Sequence, residues 1–393
     1  MQCLSSFDSQ VIESQVCIHT RMIGSPLPGS RTSTKSFGVP PLPPKATLPK
    51  PYSSLLLRQF PDGPTEKLWR DFLTRVTYPA HYDSPEFFLE PYWKYEMPFA
   101  LLLLCGDRVV AAITGFDQGR EIVSGLGSRP QICIARDADV GLTSRTLADA
   151  IVSHFPDAKR FIVYSWGPRD LPGFVTRGFR KLELERCVFL DLRPGANSIF
   201  DNFPSNRRRD IRKAMRNGIQ VKEATTDADF EAYWSVHSAW KRTSRKKINH
   251  RRDFAAMAAV QQMRANHRRF LAYYEGEVIA AAGVRFYPNG LVEFANNCSR
   301  DEYLHLCPND LLVWRMIQWA CENGFPRLSM GGAHPFLRKW SDTVIPVNRY
   351  RLDRTLLQYV EFKDEATMKA RLLIQRMPTR LQTALRMLLR RAA

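Results

Sequence analysis

The sequence predicts a mixed α/β fold, a mixed sheet flanked by helices, built twice in one chain. Three observations predict it. With 393 residues, 44% hydrophobic and 11% aromatic, there is apolar material for two ordinary cores. Strand-length apolar runs alternate with amphipathic helical stretches from about residue 55 to residue 355. The order of these elements also recurs. Leu104-Cys-Gly-Asp-Arg-Val-Val-Ala-Ala-Ile-Thr-Gly-Phe116 aligns with Tyr274-Glu-Gly-Glu-Val-Ile-Ala-Ala-Ala-Gly-Val-Arg-Phe286 once a single gap follows the turn glycine. Each is a turn glycine, an acidic residue and an apolar strand, which marks a duplicated hairpin.

Taken in order, residues 24–51 carry eight prolines among Ser, Thr, Gly and Lys. Such a composition cannot bury enough surface to fold, so residues 1–52 are expected to be a disordered tether. Val39-Pro-Pro-Leu-Pro-Pro-Lys45 reads as a stiff spacer, with a polyproline ligand as the alternative. A first lobe over residues 53–195 opens with a helix from Thr65 to Val76, its inward face Leu68, Phe72, Leu73 and Val76. Strands follow at Phe99–Leu104, Val109–Phe116 and Gln131–Ala135, then a helix at Ser144–Phe155 and strands at Phe161–Ser165 and Leu182–Leu192.

A second lobe, 196–355, repeats the order. It opens with a basic helix that Ser205 can cap and Gly218 can end. Ile211, Ala214 and Met215 are its expected buried stripe, and Arg207, Arg208, Arg209, Arg212, Lys213 and Arg216 its outer face. Asp310–Glu322 is its long helix, with Leu311, Leu312, Met316, Trp319 and Ala320 inward. In residues 356–393, Leu381, Ala384, Leu385, Leu388 and Leu389 share a helical face beside Arg380, Arg386, Arg390 and Arg391. That pattern suits a basic amphipathic helix on an anionic membrane surface, or one docked on the body.

Charge narrows the partners. Lys and Arg number 57 against 39 Asp and Glu, a formal +18 that attracts anions, whether nucleic acid, lipid or a nucleotide-bearing cofactor. The eight cysteines form no Cys-x-x-Cys pair and suit reduced, core-filling thiols. His305 and Cys307 have no second pair at zinc spacing, so no metal is expected. The longest apolar runs fall far short of the roughly 20 residues that span a bilayer, and residues 1–20 lack the layout of a secretory signal. A cytoplasmic chain is expected.

Three segments carry a resemblance. Arg209-Asp-Ile-Arg-Lys-Ala-Met-Arg-Asn-Gly218 opens the second lobe, Cys307-Pro-Asn-Asp-Leu-Leu-Val-Trp-Arg-Met-Ile-Gln-Trp-Ala-Cys-Glu-Asn-Gly324 is a proline-led helix closed by Gly, and Arg327-Leu-Ser-Met-Gly-Gly-Ala-His-Pro-Phe-Leu-Arg-Lys-Trp340 is a strand, a glycine turn and an aromatic-lysine element. In this order they resemble the GNAT superfamily, in its Fem aminoacyltransferase and CelD-type acetyltransferase branch. The resemblance implies tandem GNAT-like lobes, with acyl transfer in a cleft of the second.

The donor it implies is acyl-CoA or aminoacyl-tRNA, and the acceptor is an amine or hydroxyl on a small molecule or a lipid-linked envelope precursor. The Gln/Arg-x-x-Gly-x-Gly/Ala loop of many CoA-binding members is in neither lobe. Carried onto this chain, the cleft places Lys339, His334 and Glu293 as catalytic candidates and Asn296, Asn297, Asn309, Arg338 and Trp340 as substrate-binding ones. Arg208, Arg209, Arg212 and Lys213 are the phosphate-binding candidates. Each has a structural alternative: Asn309 caps its helix, His334 shapes a turn, Trp340 fills core, Glu293 and Lys339 are solvated. The rival reading of the whole chain is an inactive GNAT-like scaffold that binds RNA or membrane.

Overall fold

A computed structural model describes residues 51–90, 97–125, 129–167, 169–243, 266–333, 335–358 and 362. Most of the expected tether and the leucine-arginine helix near the C-terminus lie outside the described residues. In chain order the elements are β1 (Tyr52–Leu57), α1 (Gly63–Leu73), β2 (Pro98–Cys105), β3 (Arg108–Asp117), β4 (Glu121–Ser124), β5 (Ile132–Ile134), α2 (Val140–His154), β6 (Arg160–Trp166), α3 (Pro172–Thr176) and β7 (Arg180–Asp191). There follow α4 (Ala196–Asn202), α5 (Ser205–Arg216), β8 (Gln220–Glu223), α6 (Asp227–Thr243), β9 (His267–Tyr274), β10 (Glu277–Phe286), β11 (Leu291–Ser299), α7 (Pro308–Glu322), β12 (Arg327–Gly332), α8 (Pro335–Arg338) and β13 (Val344–Asp353).

The chain divides into two compact units. Of the described residues, one unit holds those at 54–103, 110–187 and 344–362, and the other those at 188–343 with short stretches at 104–109 and 51–53. In the first, the strands run β1-β2-β3-β4-β6-β13, with β5 on β3. β4 is antiparallel to β3 and parallel to β6, and β13 lies antiparallel to β6, Val347 opposite Trp166 through Asp353 opposite Arg160. In the second, they run β8-β9-β10-β11-β12, with the last residues of β7 beside β12. Here β9, β10 and β11 are antiparallel and β12 is parallel to β11. A hairpin, a third antiparallel strand, a crossover helix and a parallel strand thus occur in both, as the repeated hairpin predicts. The strand closing the first sheet comes from beyond residue 343.

Local chemistry explains the helix starts. Asp62 accepts from the Thr65 amide at 3.0 Å and Pro64 occupies the first turn, so α1 begins two residues before Thr65 and ends at Leu73. Its buried face is Trp69, Phe72 and Leu73, whereas Leu68, expected inward, is 41% exposed. Asp139 accepts from the Leu142 amide at 2.7 Å, which starts α2 four residues before Ser144.

In the second unit the reading of α5 is corrected. Pro204, not Ser205, is its cap residue, and no side chain caps it. Its buried stripe is Arg207, Ile211 and Ala214; Met215 is exposed. Positions 207, 211 and 214 share one helical face, so an arginine occupies a core position. In α7, Val313, Trp314 and Ile317 join the expected inward residues, and Trp319 packs its ring 5.3 Å from Phe286 and 6.1 Å from Phe270.

The second sheet is covered on both faces. Phe230, Tyr233 and Val236 of α6 cluster with Leu271, Ala281 and Cys298, while Trp319 of α7 packs on Phe270 and Phe286. Because side chains alternate along a strand, these contacts fix which residues look toward α6 and which toward α7. Among the described residues no helix is long and apolar enough to cross a membrane.

Candidate active site

The site begins where two parallel strands part. β11 pairs with β12 only from Leu291 opposite Arg327 to Glu293 opposite Ser329, then runs six residues further to Ser299. A bulge lies in that stretch: Val284 faces Phe294 and Gly283 faces Asn296, so Ala295 is the extra residue and the strand bends. Glu293 lies opposite Arg285, Asn296 opposite Gly283 and Cys298 opposite Ala281, all looking toward α6. Asn297, opposite Ala282, looks toward α7.

On the α7 side, the Asn297 side chain is 5% exposed and neither of its amide atoms has a hydrogen-bond partner among the described residues. A buried amide without partners costs about 1–3 kcal/mol, so this one is placed for something the bare chain does not supply. Nearby, Asn309 Nδ2 donates to Ser299 Oγ at 3.1 Å, and Asn309 Oδ1 is buried without a partner. Asn309 is not the cap of α7. The cap residue is Cys307, in the left-handed region at φ 62°, with no side chain closing the helix end. Pro308 has no amide hydrogen and the Asp310 amide donates to the Cys307 carbonyl at 3.2 Å, so the Asn309 amide is the one in this first turn left for an acceptor, whereas at α2 the Asp139 carboxylate already takes the Leu142 amide.

Beside this end lies a group of charges. Arg207 is buried, with its guanidinium 5.0 Å over the Trp340 ring and Nη1 paired with Asp310 Oδ1 in the first turn of α7. Burial pulls the Arg207 guanidinium below its ordinary pKa, against the charges of Asp210 and Cys307. Lys339 is exposed at the end of α8, and desolvation first, then the positive charge of Arg207, hold its ammonium below the usual lysine value, opposed by Asp210 and Cys307. Burial, then Asp210, raises the Cys307 thiol, while Lys213, Arg207 and Arg209 pull it down.

On the α6 side a recess of about 160 Å³ is lined by Glu223, Thr225, His267, Arg269, Gly283 and Asn296, among others. Gly283 makes it possible: a Cβ there would stand 3.1 Å from Asn296 Oδ1. Arg269 crosses the Tyr233 ring at 4.2 Å, and Arg268 pairs with Glu223 at 3.0 Å.

This architecture has known counterparts. Residues 205–338 match the model of a GNAT acetyltransferase domain. This segment resembles the GNAT family. A solved structure of FemX superposes with a TM-score of 0.59 at 9% identity, over 75% of this chain and 97% of that one. A tandem GNAT protein from the clavulanic acid biosynthesis pathway does so at 0.51 and 13%, over 78% and 99%. L-PGS from Bacillus licheniformis gives 0.51 and 14%, over 77% and 95%. At such identities the likeness is one of fold, and it includes the tandem arrangement. No curated protein matches in sequence.

The residues singled out in the sequence fall into groups. Asn297 and Asn309 share the α7 side, with Lys339 near the same helix end through its interactions with Arg207 and Cys307. Glu293, 3% exposed, and Asn296 look the other way. Trp340 is 1% exposed among Phe203, Phe336 and Arg207, so it is core that carries the arginine. Arg338 is exposed, its Nε donating to the Ala333 carbonyl at 3.1 Å. His334 lies outside the described residues. Arg209, Arg212 and Lys213 are exposed on α5, and Arg208 is half buried with Nη1 on the Asp201 carbonyl. Arg209 and Arg212 line a recess of about 500 Å³ with Ser205, Met215 and Arg216. Sequence reasoning missed Arg207 and Asp310. The signal was present, since Arg207 falls four residues before Ile211, and Asp310 sits in a first turn where an acid is favourable.

Proposed function

We propose that this protein transfers an acyl group from a phosphate-bearing carrier to an amine, with the donor entering from the α7 side of the second sheet and the acceptor from the α6 side. The observation that carries this reading is the parting of β11 and β12 after Glu293 and Ser329, with buried, unpartnered polar atoms on both sides of the opening. Asn297 and Asn309 face the donor side; Glu293 Oε2, which lacks a hydrogen-bond partner, faces the acceptor side.

In the reaction the acceptor ammonium gives a proton to Glu293, and the free amine attacks the acyl carbonyl held in the opening. The oxyanion is stabilised by donors already in place, the side-chain amide of Asn297 and the backbone amide of Asn309. Collapse expels the carrier's thiolate or hydroxyl, which takes up a proton as it leaves. Lys339, a cation beside the same helix end, supplies positive charge for the carrier phosphates. The recess at Asn296 and Arg269 accommodates the rest of the acceptor and suits one bearing an anionic group.

Acyl-CoA is the preferred donor, because no side chain caps the amino end of α7, which leaves its dipole and the Asn309 amide to a compact pyrophosphate. Aminoacyl-tRNA is the second reading, favoured by the exposed Arg209, Arg212, Lys213 and Arg216 on α5. The test supplies full-length protein with acetyl-CoA or with charged tRNA, together with a panel of amines, and follows free thiol or loss of tRNA-bound label. Turnover of one donor, lost in Glu293→Gln, supports the reading. Turnover of neither, with tight RNA or vesicle binding, would establish the inactive scaffold instead.

A further inference from the structure

Arg207 is an unusual occupant of a core position. Its side chain is 2% exposed, between the face of Trp340 and the Asp310 carboxylate, and so it touches two elements that flank the candidate site. Trp340 directly follows Lys339, and Asp310 is the third residue of α7. A buried guanidinium held by an aromatic face and a carboxylate has little freedom, because each contact is directional and the cost of leaving either is high in a low-dielectric setting.

An aliphatic residue at this point would fill the volume and avoid the desolvation cost, as at the neighbouring stripe positions Ile211 and Ala214. The charge therefore needs a role that volume does not fill. We propose that Arg207 is a positioning residue for the acyl-transfer site: it ties the first turn of α7 to the Lys339–Trp340 turn, so that the open helix end and the lysine keep one fixed relation.

The charge pattern agrees with the geometry. The groups facing Lys339 are Arg207 and Asp210 from α5 and Cys307 from the residue before α7. Of these only Arg207 is cationic, and it disfavours a second positive charge beside it. Lys339 forms no ion pair among the described residues, so Arg207 is its principal electrostatic neighbour of like sign. Removing that charge while keeping the fold should let Lys339 titrate more like a free lysine.

The inference rests on the proposed acyl transfer only for its consequence in catalysis; the positioning itself is read separately. Full-length protein, its lysines reductively dimethylated with carbon-13, is titrated by NMR, with the Lys339 signal assigned by its absence in Lys339→Arg. Arg207→Met alone would strand Asp310, so it is paired with Asp310→Asn, and Arg207→Lys serves as the conservative variant. The expected result is a Lys339 midpoint below the ordinary lysine value in the native protein, moved upward in Arg207→Met/Asp310→Asn and largely kept in Arg207→Lys. With an active donor, kcat should fall at least tenfold in the double variant while donor KM changes less. An unmoved Lys339 midpoint in a double variant with native circular dichroism overturns the proposal. A moved midpoint in a chain that turns over no donor upholds the positioning and overturns the acyl-transfer reading instead.

Discussion

Replacing Glu293 with glutamine separates its two roles. The side chain is 3% exposed and lies directly across from Arg285, itself 4% exposed, in the β10–β11 register. Burial pulls the Arg285 guanidinium below its ordinary value, and the Glu293 charge is what opposes this. Glutamine keeps the volume and one acceptor oxygen but removes the charge. The stability cost should therefore fall short of the roughly 3–5 kcal/mol seen when a buried ion pair loses a partner outright, at about 1–3 kcal/mol, the range for a compromised buried polar contact. The kinetic cost should be larger in proportion. A positioned general base contributes about 10²–10⁴ in rate, and because Glu293 looks away from Asn297 and α7, the loss should fall on kcat with donor KM nearly unchanged. Urea unfolding and a thiol-release assay on the same preparation give the two numbers. Glu293→Gln with kcat per folded molecule within threefold of the native value would refute the base assignment and reduce Glu293 to the counter-charge of Arg285.

Cys307→Gly should stabilise the protein slightly. Relief of a left-handed residue at φ 62° is worth about 1–2 kcal/mol, less about 0.5–1 kcal/mol for the entropy of glycine, and a rise in melting temperature checks it. Glu86→Gln should show a pH-dependent cost. Burial raises the Glu86 carboxyl, but its bonds to Arg70 and Ser84 outweigh this and hold it below the ordinary value. A depressed carboxylate stabilises the fold above its unfolded pKa and ceases to as pH falls through the folded one. Melting curves of native and variant chains should therefore differ at pH 7 and converge in acid. A chain ending at Arg354 should float with anionic liposomes less than the full chain does, and the difference should vanish in high salt, as expected for the leucine and arginine pattern of residues 381–391.

Where the sequence was legible, the information was local. The hairpins came from a turn glycine followed by an apolar strand, and the structure puts Glu275 and Gly276 at φ 51° and 82°, the backbone a tight turn demands. α7 was readable from Pro308 to Gly324 because its start, stop and stripe are all in one segment. Arg207 was misread because arginine is rarely buried, so charge outweighed a spacing that placed it on the Ile211 and Ala214 face. For Asn309, a substrate-binding candidate, the cap was the structural alternative because asparagine near a helix start often is one; the left-handed Cys307 holds that position instead. The bulge at Ala295, which turns Glu293 and Asn297 to opposite sides of the sheet, leaves no mark in composition or periodicity. Neither does the pairing of β13 with β6, whose partners lie some 180 residues apart, as in Asn348 opposite Ser165.

That last pairing bears on how the chain is made. A ribosome releases β6 long before β13 exists, so the flank of β6 that Val347 to Asp353 will occupy must wait, with its amides and carbonyls unpaired, while nearly two hundred further residues are added. The first sheet reaches its final form only once β13 has emerged, although most of its strands appear early. Truncations, rare-codon pauses or stop mutations that spare every residue before 343 should still leave that early part short of a strand and open to pairing with the wrong neighbour.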